Sequence, residues 1–447
     1  MSLETLFGLG TITSKDVVNS VSVAGETPFY LYDEKLIESK CREIKEMPNA
    51  FGLFPRFAMK ANSTKAILQI IYNQGFGIDA SSINEAERAN LAGIPYEKIM
   101  LTTQEVPEQD ERRKLELMIS QGLVDNVCSL RQLSLISGFV SKRKIPISIR
   151  IHPGTGGSGE SITRNTANPY SCFGVHISEL ENVLNIAKEE GVIIDGVHEH
   201  IGSGGSPEKW RESIDAFLTI VNSYLNYFPE LKKVNFGGGL KQGRMPDETS
   251  ANPADLGAYA KNRLEEFYKN TGKKLAMEVE PGTYVIAMSG SLVTRVIDKK
   301  STGKDGFNFI VTNGGMEVNC RPLLYGSKHP FAIVSKDGTL LSSDYDLKNI
   351  SEDSLFAPVG RCCESGDSQS LDSFGNIIPR RMAEPDIGDF FVVGFCGAYC
   401  STMTPFIYNS HTQAPEVLKR FDETLKLIRE SQSLKDLTAR EIGIFQK

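Results

Sequence analysis

Eight short apolar runs between residues 56 and 280, with helix-like stretches between them, constrain this chain more than any other feature. The strand candidates are 56–60 "RFAMK", 76–80 "FGIDA", 98–102 "KIMLT", 123–128 "LVDNVC", 145–151 "IPISIRI", 194–201 "IIDGVHEHI", 232–236 "KKVNF" and 274–280 "KLAMEVE". Between them lie amphipathic segments such as 208–227 and 255–269. Alternation of this kind argues for parallel pairing, since each helix carries the chain back to start the next strand. Eight repeats predict a (β/α)8 barrel; a doubly wound open sheet is the second option.

Beyond residue 281 the texture changes. "GSLVTRVIDKK", "GFNFIVTNGG", "PFAIVS", "GTLLSS" and "DFFVVGFCGAY" are strands separated by Gly, Asp and Asn turns, without regular helices. They predict an antiparallel β-sheet domain. The opening "PFYLYDEKLI" (28–37) is also strand-like and is expected to join that domain. A helical tail over roughly 414–433 is expected to close the chain. The predicted organisation is therefore a barrel over 45–288, with 1–44 and 289–447 forming a β-sheet domain with a C-terminal helix. A length of 447 residues suits two cores better than one.

Composition removes several function classes. A net charge of -7 offers no basic face for nucleic acid. No apolar run approaches the ~20 residues of a membrane span, and "MSLETLFGLG" lacks the basic-then-apolar pattern of a secretory signal. A cytoplasmic enzyme is expected. The eight cysteines form no C-x-x-C pair, and the six histidines do not fall with them at zinc spacing, so no metal is expected.

In a barrel of this kind the chemistry sits at the carboxyl ends of the strands. Strand one ends at Lys60. Strand two carries Asp79, followed by Ser81, Ser82 and Glu85, and strand five carries Arg150. Strand six runs into His198-Glu199-His200-Ile201-Gly202-Ser203. Strand seven is followed by Gly237-Gly238-Gly239, and strand eight ends at Glu280. Alone, Lys60 reads as a solvated loop residue, Glu280 as half of a salt bridge, and the glycines as a tight turn. Together they describe a lysine, an anion cradle, a carboxylate and a flat ring. That set matches pyridoxal 5'-phosphate, with Lys60 for its aldehyde, Glu280 for its pyridinium nitrogen and His200 for its ring face.

The stretches "FAMKANS", "GIDASSINE", "GVHEHIGSG", "NFGGGL", "EVEPG", "RPLLYGSKH", "CESGD" and "GAYCSTMTPFIYN" span residues 57 to 409. In their order the chain resembles the barrel-type pyridoxal phosphate decarboxylases of alanine-racemase-like fold, most nearly the diaminopimelate decarboxylases. The resemblance implies that Lys60 is the Schiff-base lysine and Glu280 the pyridinium partner, with Asp79 and His200 also at the cofactor. Ser203, Gly237, Gly238, Gly239 and Tyr399 would hold the phosphate. It implies that Cys363 and Glu364 enter the active site from the other subunit of a homodimer, Cys363 as a catalytic group. Arg321 and Tyr325 resemble the residues that grip the distal carboxylate of diaminopimelate, with Glu364 and Tyr399 also at the substrate.

Three positions depart from the family pattern. Thr283 follows "EPG" where arginine is usual, Asn313 stands where aspartate is common, and Cys362 precedes the expected cysteine, Cys363. The implied reaction is decarboxylation of an amino acid at its α-carbon, meso-diaminopimelate to L-lysine. Lysine, ornithine or carboxynorspermidine are alternative substrates; a racemase and a catalytically silent homologue are the other readings.

Overall fold

The computed structural model describes residues 5–154, 166–202 and 204–444. The chain divides into two compact units. One comprises Glu38–Gln242 and Thr249–Val285; the other comprises Met1–Ile37, Gly243–Glu248 and Ile286–Lys447.

The first unit is a closed barrel of eight parallel strands. In barrel order they are Leu53–Ala58, Gly77–Ala80, Ile99–Leu101, Val124–Val127, Ile147–His152, Ile194–His198, Lys233–Asn235 and Ala276–Val279, and the last pairs with the first. Met277 lies opposite Leu53, which closes the ring. The strands are only three to six residues long and almost wholly buried, so they read as apolar runs rather than as alternating patterns. Helices start where capping chemistry lies. Ser82 accepts from Glu85 N–H, and Glu85 reaches back to the Ser81 N–H at 2.7 Å, which starts the helix Ile83–Leu91 directly after the second strand. Lys60 lies in the 3-10 turn Met59–Ala61, just past the first strand, and Thr64 is the N-cap of the helix Lys65–Asn73.

The second unit is a mixed sheet, where a purely antiparallel one was expected. Its path runs Leu340–Ser343, Phe331–Val334, Phe390–Val393, Gly290–Ser301, Phe29–Asp33, Glu416–Lys419 and Leu425–Arg429. Phe29–Asp33 does join this sheet, but it pairs parallel with Glu416–Lys419. Asn308–Thr312 and Leu355–Val359 form a second parallel pair. Phe7, Val17, Phe29, Leu31, Val293, Val392 and Val417 share its core, with the helix Ser14–Ala24 supplying Val17.

The expected helix over 414–433 is a hairpin. Glu416–Lys419 and Leu425–Arg429 pair antiparallel around a tight turn in which Arg420 N–H donates to Thr424 O, and Glu423 takes a positive φ. Buried Glu416 anchors the strand through Arg429 at 3.0 Å. Past the hairpin lies the short helix Leu434–Thr438. Asn313 has a structural reason of its own. Its Oδ1 accepts from Arg295 N–H while its Nδ2 donates to Thr27 O and Oγ1, a donor role an aspartate could not fill.

Candidate active site

The barrel brings Lys60, Asp79, His200, Gly237–Gly239 and Glu280 to its carboxyl end. Lys60 Nζ lies 3.9 Å from Asp79 Oδ2; the lysine side chain is 42% exposed, the aspartate 1%. Asp79 Oδ1 has no hydrogen-bond partner among the described residues. Burial and the nearby Glu280 carboxylate push the Asp79 carboxyl up to about 8, against the pull of Lys60.

Glu280 goes the other way. Burial would raise it, but His198, through charge and a hydrogen bond, outweighs that with help from His200 and Lys60 and holds the carboxyl at about 2. Its Oε2 meets His198 Nε2 at 3.1 Å and its Oε1 accepts from Asn235 Nδ2 at 2.7 Å. His198 is fully buried, and burial pulls its imidazole below the ordinary range against the opposing pull of the Glu280 carboxylate. Behind this pair, Asn235 also reaches Glu278, which Arg56 holds with two parallel bonds of 3.0 and 3.2 Å. The Glu280 carboxylate is thus ionised and fixed in place, with lone pairs to spare for one further cationic donor.

The glycine triplet is needed first for space. A Cβ on Gly237 would lie 2.4 Å from Glu199 O, one on Gly238 2.7 Å from Glu280 O, and one on Gly239 2.9 Å from Gly202 O. Gly237 and Gly239 also hold φ of +63° and +95°. Two of the three N–H groups are committed inside the barrel: Gly237 N–H donates to Asn235 Oδ1 at 2.8 Å, and Gly238 N–H to His200 Nδ1 at 3.0 Å. A phosphate cradle of the kind expected from all three glycines would draw the Gly237 and Gly238 N–H groups away from these partners, whereas neither bond involves Gly239 N–H. The Gly238 bond has a second consequence: it fixes the imidazole plane of His200 and leaves Nε2 as its protonated nitrogen. Ser203 lies outside the described residues.

In the sheet unit, "RPLLY" forms the short helix Arg321–Tyr325. The Arg321 side chain is almost fully buried, its guanidinium 5.7 Å from the Tyr325 ring centre and 5.8 Å from that of Tyr399. It donates to Ser327 Oγ at 3.2 Å; its Nε has no partner, and no carboxylate pairs with it among the described residues. Tyr399 holds a left-handed φ of 59°, a conformation that costs a tyrosine energy and is retained where the surroundings fix it.

Cys363 and Glu364 lie on an exposed loop of the same unit. Cys363 N–H donates to Asn409 Oδ1 at 2.8 Å, and Tyr408 O–H reaches Glu364 Oε2 at 3.4 Å. Cys362 is turned inward, its thiol donating to Glu317 Oε2 at 3.3 Å, so the accessible thiol of the pair is Cys363.

His198 and Asn235, the two residues that orient Glu280, were not assigned that role from the sequence. Their signal was faint: both close barrel strands, one just before His200 and the other just before the glycines. The assembled barrel residues fit pyridoxal phosphate: a lysine at the mouth, a carboxylate held ionised, an imidazole fixed in plane, and glycines where a Cβ would collide.

Comparison with known proteins agrees with that cofactor. Residues 34–287 match the family model described as pyridoxal-dependent decarboxylase, pyridoxal binding domain. The chain is 30% identical over 423 residues to the diaminopimelate decarboxylase of Streptomyces coelicolor, covering 93% of this chain and 89% of that one. It is 28% identical over 422 residues to that of Escherichia coli (strain K12), covering 93% and 94%. Among solved structures, diaminopimelate decarboxylase from Helicobacter pylori complexed with L-lysine superposes with a TM-score of 0.78 at 28% identity, over 93% of this chain and 96% of that one.

Burial of Asp79 gives a testable pH dependence. The folded carboxyl holds its proton to about pH 8, whereas an unfolded aspartate loses it near 4. The fold therefore binds more protons than the unfolded chain across that window, and stability drains as pH rises through it. In cofactor-free protein, Asp79→Asn should raise Tm relative to wild type at pH 8 and not at pH 4, at about 2–4 °C per kcal/mol recovered. Calorimetry checks it; equal shifts at both pH values would show that the aspartate's charge is not the cause.

Proposed function

The chain belongs to the pyridoxal-dependent decarboxylases, and from that premise we propose that it converts meso-diaminopimelate to L-lysine and CO2. One observation carries the choice of substrate. The Arg321 guanidinium is buried between two tyrosine rings with no carboxylate partner among the described residues. A buried unpaired charge costs several kcal/mol, and a carboxylate at the far end of the substrate would offset that cost. Lysine and ornithine have none to offer.

Lys60, Glu280 and His200 would hold the aldehyde, ring nitrogen and ring face of pyridoxal phosphate, with Gly239, Ser203 and Tyr399 at its phosphate. When bound, the cofactor supplies a conjugated sink for the electron pair left as CO2 departs. The chain's own residues do the rest. Glu280, kept ionised by His198 and Asn235, would supply the negative charge that favours a protonated ring nitrogen. His200 has its imidazole plane fixed by the bond from Gly238 N–H. Overall one carbon–carboxylate bond breaks, CO2 leaves, and one proton is added at the same carbon while the amino group is retained. Lys60 Nζ and Cys363 Sγ are the two groups that can deliver that proton.

The reading includes a homodimer whose active sites each take Cys363 and Glu364 from the neighbouring chain. The exposed position of Cys363 supports it, since its thiol is open to a neighbouring chain. Mixing inactive Lys60→Ala protein with inactive Cys363→Ala protein should then restore activity, because a heterodimer can contain one intact site. Under conditions where labelled chains demonstrably exchange, no recovery would rule the shared site out.

The substrate assignment is tested by CO2 release from purified protein with meso-diaminopimelate, lysine, ornithine and carboxynorspermidine. Diaminopimelate should show the highest kcat/KM. A preference for lysine or ornithine would overturn the carboxylate grip while leaving the decarboxylase chemistry intact.

A further inference from the structure

The loop carrying Cys363 holds a second thiol that the decarboxylation does not use. Cys362 Sγ lies 3.3 Å from Glu317 Oε2. The ligand atoms of Glu317, Cys362 and His411 all lie within 4.8 Å of one another, the glutamate buried and the other two half-buried. Thiolate, imidazole and carboxylate on one centre form the donor set of a zinc-type ion. We infer that Glu317, Cys362 and His411 bind a thiophilic divalent cation, zinc by preference, which clamps the Cys363 loop to the loop of His411.

The distances suit such an ion. Tetrahedral zinc with ordinary Zn–S and Zn–O lengths separates sulfur from oxygen by about 3.6 Å, close to the 3.3 Å between Cys362 and Glu317. Glu317 is oriented independently of the thiol. Gly315 N–H donates to its Oε2 at 2.8 Å, and Arg361 Nε donates to its Oε1 at 3.1 Å. An ion taking Oε2 leaves the Arg361 bond standing as outer support for the carboxylate. Binding exchanges one proton for one metal–sulfur bond: Cys362 Sγ–H releases its proton to solvent and the sulfur's electron pair goes to the metal. No oxidant or reductant is involved. A three-residue site leaves a fourth position for water, and two half-buried ligands give the ion a way in.

The loops are already in contact. Cys363 N–H donates to Asn409 Oδ1, and Tyr408 O–H reaches Glu364. Asn409 and Ser410, immediately before His411, hold left-handed φ angles of 51° and 59°. Two successive non-glycine residues in that region are costly and need a surrounding structure that holds them. The three ligands are spread over residues 317 to 411, which is why zinc spacing in the sequence gave no hint of a metal. A second trio, His329, Cys396 and Cys400, also lies within reach of one ion. It is fully buried, His329 Nδ1 already meets Gly394 O at 2.9 Å, and the charges of Arg244, Arg321 and Arg380 act on that histidine and oppose a dication, against Arg361 alone at His411. That trio serves as the control.

The test uses Co2+ as a spectroscopic stand-in for zinc, added to chelator-treated holoenzyme and read as difference spectra. Wild type should bind one equivalent per chain, with a sulfur-to-cobalt charge-transfer band in the near ultraviolet. Cys362→Ser should abolish the band, His411→Ala should weaken binding at least tenfold, and Cys396→Ser should leave both unchanged. With Zn2+, amide hydrogen exchange in 361–367 and 408–411 should slow in wild type and not in Cys362→Ser. The site is overturned by a wild type without the band, by Cys362→Ser or His411→Ala binding as wild type does, or by loss of the band in Cys396→Ser. A band without slowed exchange overturns the clamp. None of these readouts measures turnover, so their failure leaves the decarboxylase reading untouched.

Discussion

Lys60→Ala is expected to lower kcat by on the order of a thousandfold, the scale lost with a group that moves protons at the reacting carbon. The same change should remove the visible absorbance of the bound cofactor, because Lys60 is the amine proposed to anchor its aldehyde. The substitution is structurally mild. Lys60 sits in a 3-10 turn beyond the strand with its side chain 42% exposed, so the barrel keeps its packing. It does remove the cation beside Asp79, and that carboxyl, already pushed up, should hold its proton to still higher pH. Far-ultraviolet circular dichroism should therefore match wild type. Borohydride reduction of the wild-type holoenzyme, followed by peptide mapping, should place the cofactor on Lys60 alone. Label on any other lysine would remove the foundation of the active-site assignment, whatever the kinetics of the variant.

Much of the barrel was legible because its strands are short, buried on both faces and separated by helices with their own caps. Gly77–Ala80 and Ala276–Val279 fall within a residue or two of the runs that the pattern picked out. The same reasoning misread the tail. "EVLKRFDETLKLIR" spaces its apolar residues in a way that suits a helix face, and its turn contains neither glycine nor proline. What decides for a hairpin is tertiary: buried Glu416 bonded to Arg429, and Phe29–Asp33 offering an edge to pair with. Direction within the sheet was hidden for the same reason, since parallel pairing of chain ends leaves no local signature. Nor could sequence pattern show that Gly243–Glu248 packs with the sheet unit.

The candidate site divides similarly. Lys60, His200 and Glu280 were legible because each stands where a barrel strand ends, and position along the chain is the information needed. The partners of Glu280 were not. His198 is 82 residues away and Asn235 45, and hydrogen bonds over such distances follow no spacing rule. The split between two buried carboxylates, Asp79 kept protonated and Glu280 kept ionised, also depends on which of them the imidazoles reach. No single-sequence pattern contains that.

Arg321→Met carries the sharpest statement about substrate. Methionine keeps the length and apolar stem of the arginine and removes only its charge and donors. Arg321 has no carboxylate partner among the described residues, so the change strands no buried anion in the unliganded protein. Such replacements of buried charge tend to be neutral for stability. What is lost is the fork that would meet the distal carboxylate, a charge-assisted bond of about 1.5–3 kcal/mol. That translates into a roughly ten- to hundredfold fall in kcat/KM for diaminopimelate. Thr283 carries no charge where the family usually has arginine, so Arg321 bears this role with less help and the effect should sit toward the upper end. A substrate without a distal carboxylate, such as lysine, should lose little, and the visible spectrum of the bound cofactor should not change. An equal loss on both substrates would mean that Arg321 only supports the fold around Tyr325 and Tyr399. Lost discrimination with an unchanged spectrum would identify it as the residue that reads the far end of the substrate.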